Sequence, residues 1–394
     1  MAETGPLCLV GGGAVAHALA AMAGAAGQAE IRVLTRRPAV WSGTVRAVYR
    51  ETLVLDGAID RVGAEAGELV PGAGLVLIAA PAFAWEPLLR AVAPHLSPGA
   101  AVGIAGGGCG FDWLARGLLG PAHPVFALQL CPVNARLREP GREVAVAGVR
   151  GTVGLAADPP SSAPGLAARV SAVLGLTVEP LSHPLEVTLA PGNAAFHGAR
   201  LYGLFGPGAP PVRPGTGFYA DWDDRSSEIY LALDAELGAL RRATGLPLAG
   251  ARPVTERLGV ATASEMTAVI RAIPSLQGIP APAAPARSGE PACRADPGHR
   301  FFREDIPHGL AVLRAVADLL DVRVPVIDRV LRWGEALVGL DLVTARGVDG
   351  GDTRHLPLPA RAGIVDRTGL IGAAAAIASD ERAGPGLAAA GRPA

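Results

Sequence analysis

Short apolar runs recur through the first half of the chain, each closed by glycine, proline or polar residues. Leu7–Val10, Ile31–Leu34, 75–80, Ala101–Ile104 and 125–130 are apolar enough to be strands buried on both faces. Helical spacing follows several of them, as in 85–95 and Phe111–Leu119. That rhythm predicts a doubly wound parallel sheet. Segments 143–148 and 152–156 read as a hairpin or as late strands, and a helix and strand over 165–181 complete the sheet.

The strand rhythm stops near residue 185. A long helical pattern runs over 186–205, broken near Pro191. A strong helix is predicted over 221–244, opening among Asp221, Asp223 and Asp224 and ending at Gly245 before Pro247. Further helices are predicted over 253–273, 307–320 and Pro325–Val338, with proline at the start of the last two. Residues 274–298 are rich in Pro and Ala and read as a mobile loop. The expected organisation is therefore an α/β domain over 1–185, an all-helical domain over 186–380 and a disordered tail over 381–394.

Composition narrows the partners. With 394 residues and half of them hydrophobic, the chain has ample material for two cores. A net charge of -1 gives no reason to expect nucleic acid or an anionic membrane as partner. The apolar stretch 7–22 is interrupted by three glycines and lacks a basic leader, and no run is long enough to span a bilayer. Cys8, Cys109, Cys131 and Cys293 are scattered without metal-ligand spacing, so no metal is expected and the cytoplasm is the expected compartment. The chain contains no lysine; all 35 basic residues are arginine. Schiff-base chemistry and a Walker-type phosphate loop are thereby excluded.

Against this background one motif gains weight. LCLVGGGAVAHALA places Gly11, Gly13 and Ala16 in a G-x-G-x-x-A spacing between a strand and a helix. Gly11 permits the tight turn, Gly13 and Ala14 lie where a pyrophosphate meets the helix N-terminus, and Ala16 keeps helix and strand close. This is the fingerprint of a Rossmann domain. An NAD-specific site carries a carboxylate about 20 residues on, for the ribose 2′-hydroxyl. Here the second strand ends in Thr35, Arg36 and Arg37, and two guanidinium groups suit a 2′-phosphate. NADP(H) is expected over NAD(H), with Pro81 at the same cofactor edge. A second glycine-rich segment, 103–110, either approaches the nicotinamide or forms a tight turn; it is given no catalytic role.

Hydride chemistry also needs polar groups to manage protons, and without lysine they must come from other residues. In LAPGNAAFHGARLYGLF, Asn193 and His197 are four apart and share a face if helical. Taken alone, His197 is either a core residue or a catalyst. In HRFFREDIPHGL, Arg300 is a candidate carboxylate ligand. Asp305 either orients a histidine or caps a helix that starts at Pro307.

Together with TRRPAVWSG, FYADWDDRSSEIYLALDAEL and DVRVPVIDRVL, these segments resemble the octopine/nopaline-type opine dehydrogenases. The resemblance runs from residue 7 to about 332. It implies a Rossmann domain followed by a helical domain, and reductive condensation of an α-keto acid with an amine using NAD(P)H. It further implies His197 as the catalytic histidine, Asp305 as its partner and Arg300 as the keto-acid ligand, with Asn193 at the substrate. One departure is Gly198, where the family often carries proline beside the histidine. The expected partners are an α-keto acid, an amine and a second copy of the chain. Two alternatives remain at this level. A ketopantoate-type 2-keto-acid reductase conflicts with the missing lysine, and a non-catalytic NADPH sensor has no use for the histidine, arginine and aspartate.

Overall fold

The computed structural model describes residues 5–49, 53–285 and 292–372. Its first half is built on an eight-stranded sheet. From one edge the strands are Thr177–Pro180, Thr152–Asp158, Val125–Leu128, Ala101–Ile104, Leu75–Ile78, Leu7–Val10, Ile31–Leu34 and Arg61–Gly63. The first five predicted strands are all present and parallel. Their near-continuous Val, Leu and Ile runs follow from helices covering both faces. Ala14–Ala26 and Ala163–Leu174 pack on one face, Trp85–Val92 and Phe111–Leu119 on the other.

Of the two readings for 143–148 and 152–156, late strands rather than a hairpin holds, and the two strands are divided between two sheets. Thr152–Asp158 enters the main sheet antiparallel to Val125–Leu128. Glu143–Val149 joins a separate four-stranded sheet, ordered Leu53–Ala58, Thr44–Tyr49, Glu143–Val149, Val133–Glu139. This sheet lies against the helix Ala14–Ala26. Small residues make the approach feasible: a side chain at Gly24 or Gly57 would collide with backbone across the contact. Alternation in these strands is weak, as in VNARLRE, and long-range pairing decides their placement.

The second half is helical. Asn193–Phe205, Asp224–Thr244, Val254–Leu258, Ala263–Ala272 and Pro325–Val338 pack around Phe302, Leu310, Leu233 and Leu237, which are almost fully buried. Asp223 accepts from Ser226 N–H at 2.8 Å and starts the longest helix. The loop expected over 274–298 carries a two-strand pair, Ala283–Ala284 with Arg294–Ala295, and part of it lies outside the described residues. The expected tail over 381–394 also lies outside them. Among the described residues no helix is long and apolar enough to cross a membrane.

The helix expected to begin at Pro307 begins earlier. Arg300–Asp305 is helical, capped at its start by His299, and continues through a π-turn at Ile306–Leu310 into Ala311–Leu320. Pro307 has no N–H to bond back into the preceding turn, and the helix widens there rather than ending. Asp305 is thus an interior residue and not the N-cap of a proline-led helix.

Candidate active site

Strand Leu7–Val10 lies between Ile31–Leu34 and Leu75–Ile78, so the strand order reverses at its C-terminal end. A parallel sheet opens a ligand crevice at such a point, and Gly11–Gly13 occupy it. Gly11 has φ +145°, and a Cβ there would lie 2.5 Å from the Ala79 carbonyl oxygen. A Cβ on Gly12 would lie 2.6 Å from Thr35 Oγ1, whereas one on Gly13 would meet nothing within 4 Å. Gly13 opens the helix Ala14–Ala26 without a side-chain cap or a first-turn acid. The first N–H groups and the positive helix end therefore face open space, as an anion requires. Ala16 is fully buried beneath Gly11. The cradle fits a dinucleotide pyrophosphate.

Around it, Thr35 is buried while Arg36 and Arg37 are exposed, with no ion pair among the described residues. Pro81 precedes the turn Ala82–Ala84 at the end of the neighbouring strand. Residues 105–110 form a tight turn: Gly106 has φ +137°, and a side chain there would strike the Cys131 backbone.

The second centre lies in the helical half. Helix Asn193–Phe205 buries His197, whose Nδ1 lies 2.8 Å from Asp305 Oδ2 and whose Nε2 lies 2.7 Å from the Tyr219 hydroxyl. A carboxylate only accepts, so Nδ1 carries the proton toward Asp305 and Nε2 accepts from Tyr219. The chain holds only 8 Phe, 5 Trp and 4 Tyr. Phe196, Phe218, Tyr219 and Phe301 nevertheless all have ring centroids within 6.2 Å of that of His197. This aromatic wall strengthens each polar contact inside it. Burial, reinforced by the Asp305 charge, pushes the Tyr219 hydroxyl upward, so it is a neutral donor.

Tyr219 was not singled out from sequence, nor was the residue that places it. Arg200, one turn beyond His197, is fully buried. Its guanidinium donates to the carbonyls of Phe218 at 2.7 Å and Asp221 at 2.5 Å, and pairs with Asp223 at 3.0 Å. It thereby pins the segment 217–223 across the histidine. The two segments carrying these residues were visible as strings of letters; the contacts between them needed the fold.

Asn193 begins the histidine helix and is exposed. One turn separates it from His197, so the two lie on the same side of the helix. Arg300 begins the other helix, with its side chain 59% exposed and 3.9 Å from Glu304. Its guanidinium lies 5.1 Å from the centroid of Phe301, which in turn lies tilted against His197 with centroids 4.3 Å apart. Another residue missed from sequence, Glu304, accepts the Ala82 N–H at 3.0 Å. That bond fastens the helix bearing Asp305 to the sheet turn after Leu75–Ile78. The helix carrying Asp305 is thus tied to the turn that follows the strand beside the glycine cradle.

The helical part matches a sequence model described as NAD/NADP octopine/nopaline dehydrogenase, alpha-helical domain, over residues 180–338. An uncharacterised protein, y4xO, of Sinorhizobium fredii is 33% identical over 331 residues, covering 77% of this chain and 87% of that protein. Octopine dehydrogenase of Mizuhopecten yessoensis is 26% identical over 401 residues, covering 91% and 96%. The chain belongs to the octopine/nopaline-type opine dehydrogenase family. It is an oxidoreductase of the class acting on CH–NH bonds. A solved octopine dehydrogenase with NADH and L-arginine shares the fold at a TM-score of 0.79 and 22% identity, over 93% of this chain and 97% of that one. The Rossmann sheet followed by a helical half is thus the architecture of this opine dehydrogenase as well.

Proposed function

We propose that this opine dehydrogenase reductively condenses an α-keto acid with the amino group of an amino acid or related amine, using NADPH. The observation that carries the reading is the buried Asp305–His197–Tyr219 relay, whose helix Glu304 ties to the turn after strand Leu75–Ile78. The apolar clusters support a division near residue 185: two lie almost wholly before it, and the third gathers residues from Leu185 to Leu370 with Trp113. We assign 1–185 to nucleotide binding and 186–380 to substrate binding.

The roles follow from charge and geometry. Arg300, planar and two-pronged, grips the keto-acid carboxylate, with Asn193 placed to hydrogen-bond the same substrate. Asp305 fixes the His197 ring and stabilises it when it gains a proton. His197 removes and returns protons as the amine adds to the carbonyl and the carbonyl oxygen leaves as water to give an imine, with Tyr219 carrying the proton at Nε2. A nicotinamide held in this cradle would supply the hydride that reduces the imine. The cradle would hold its pyrophosphate at Gly11, Gly13 and Ala14. Arg36 and Arg37 would hold a 2′-phosphate beside Thr35, and Pro81 would bound the nicotinamide side.

A simple 2-keto-acid reductase of the ketopantoate type uses a lysine that this chain lacks. A sensor would have no need of a buried acid/base relay. The test is NADPH consumption over a matrix of keto acids and amines. Turnover that requires both partners is expected. Turnover on keto acid alone would favour the reductase, and nucleotide binding without turnover would favour the sensor.

A further inference from the structure

His17 is buried near the start of helix Ala14–Ala26, one turn beyond Gly13. Its Nδ1 lies 2.9 Å from the Gly13 carbonyl oxygen, and its Nε2 lies 2.7 Å from the Gly141 nitrogen. A carbonyl only accepts and a backbone N–H only donates. Nδ1 therefore carries the proton toward Gly13, and Nε2 accepts from Gly141. Burial lowers the pKa of the ring, in keeping with this neutral form. Trp41 covers the ring, with centroids 4.0 Å apart and planes at 28°. Three stretches distant in sequence thus meet on one imidazole. They are the glycine cradle, the segment after strand Ile31–Leu34, and the turn at 140–142 that joins Val133–Glu139 to Glu143–Val149 in the second sheet.

The segment 35–42 is an arc fastened at both ends. At its start the Thr35 N–H donates to the Gly63 carbonyl at 2.9 Å, and Thr35 packs against Gly12 with no room for a Cβ between them. At its end Trp41 lies on His17, and the Ser42 N–H donates to the Gly141 carbonyl at 3.1 Å. Gly141 has φ +75°, and a side chain there would strike the Val40 carbonyl and the Trp41 backbone. Between these anchors the chain turns through Pro38–Val40, where the Trp41 N–H donates to the Pro38 carbonyl at 3.0 Å. Arg36 and Arg37 are the exposed residues of this held arc that carry charge. Two guanidinium groups gain less from a phosphate when their backbone must be ordered in the same step, because that ordering offsets the pairing. An arc fixed beforehand avoids part of the cost.

We propose that His17 is a positioning residue that determines nucleotide specificity. Through Trp41 and Gly141 it holds the arc bearing Arg36 and Arg37 in a fixed relation to the glycine cradle. A dinucleotide whose pyrophosphate rests at Gly11–Gly13 then presents its 2′-phosphate to arginines already in place. The second sheet gains a role as well, since its turn at 140–142 braces the arc. The inference rests on the NADPH reading and goes beyond it: His17 and Trp41 act on the arginines, whereas the arginines act on the phosphate.

The experiment measures NADPH and NADH affinity by calorimetry in the full-length protein and in His17→Leu, His17→Gln and Trp41→Leu. In the two leucine variants the NADPH dissociation constant should rise by about tenfold, the scale of ordering two long side chains, with NADH affinity nearly unchanged. The His17 backbone N–H donates to the Gly13 carbonyl at 3.1 Å whatever the side chain, so the cradle is kept. His17→Gln, whose amide oxygen can accept the Gly141 N–H, should retain most of the preference for NADPH. In the Arg36→Ala, Arg37→Ala background, Trp41→Leu should change neither affinity further, because the arc then carries nothing to place. Trp41 is only half-buried, so Trp41→Leu carries the test if His17→Leu does not fold. A preference for NADPH that survives intact in Trp41→Leu overturns this inference and leaves the nucleotide reading standing. Equal loss of NADPH and NADH in the leucine variants overturns it as well, making His17 a prop of the cradle. An unmodified protein without the preference overturns the nucleotide reading and this inference with it.

Discussion

Asp305 and His197, 108 residues apart in sequence, meet at 2.8 Å through Oδ2 and Nδ1, both side chains under 10% exposed. The π-turn at Ile306–Leu310 begins directly after Asp305, so the carboxylate sits where the helix widens. Asp305→Asn keeps shape but loses charge, and asparagine could have served equally well as a helix cap. Turnover should therefore fall by about a hundredfold, with smaller changes in either KM. Tyr219→Phe removes the donor to Nε2 while keeping the aromatic wall. It should lower kcat and leave the thermal midpoint nearly unchanged. Steady-state kinetics on both variants checks this; full activity in Asp305→Asn removes the residue from the site.

Arg300 and Asp305 lie on one helix but do different work. Arg300→Lys keeps the charge and loses the planar fork. The KM for the keto acid should rise by about tenfold or more, far above any change for the amine. Equal shifts in both constants would assign Arg300 to a general electrostatic role.

Arg36 and Arg37 follow strand Ile31–Leu34, exposed and without ion pairs among the described residues. NADPH should bind more tightly than NADH, and the double change Arg36→Ala, Arg37→Ala should erase most of the difference. Fluorescence titration of both nucleotides decides it. Equal affinities in the unmodified protein would contradict the assignment.

His308 lies in the π-turn, with Nδ1 buried and without a hydrogen-bond partner. Burial pushes the imidazole down to about 4, against the pull of Asp305. The folded state thus favours the neutral ring, and the unfolded state binds its proton near pH 6.5. The contribution to stability is present above about 6.5 and is lost as pH falls toward 4. Between pH 7 and pH 5 this amounts to about 2 kcal/mol. Denaturant unfolding of His308→Gln should show a shallower loss over that interval than the unmodified protein. Parallel pH profiles would show that the ring is not held neutral.

Local signals carried the parts of this molecule that depend on local physics. The fingerprint Gly11, Gly13, Ala16, the buried strands and the helix Pro325–Val338 were legible because turn geometry, burial and caps act over a few residues. The second sheet was not, because Thr44–Tyr49 and Val133–Glu139 are paired across nearly a hundred residues through Glu143–Val149. From sequence Asp305 could be read either as a cap or as a partner of the histidine, because Pro307 ordinarily starts a helix, whereas here the helix absorbs it in a π-turn. His197, Asp305 and Arg300 stood out through family resemblance. Tyr219, Arg200 and Glu304 act only through tertiary contacts and carried no signal of their own.

The central claim is that His197 manages protons for reductive condensation. The most direct measurement is His197→Ala, assayed for NADPH oxidation with a productive keto acid and amine pair, alongside NADPH affinity by fluorescence titration. The account predicts a loss of kcat of about a hundredfold or more with nucleotide affinity essentially retained, because Gly11–Gly13 lie in the sheet half of the chain. Near-normal turnover in His197→Ala would contradict it and leave His197 a buried core residue.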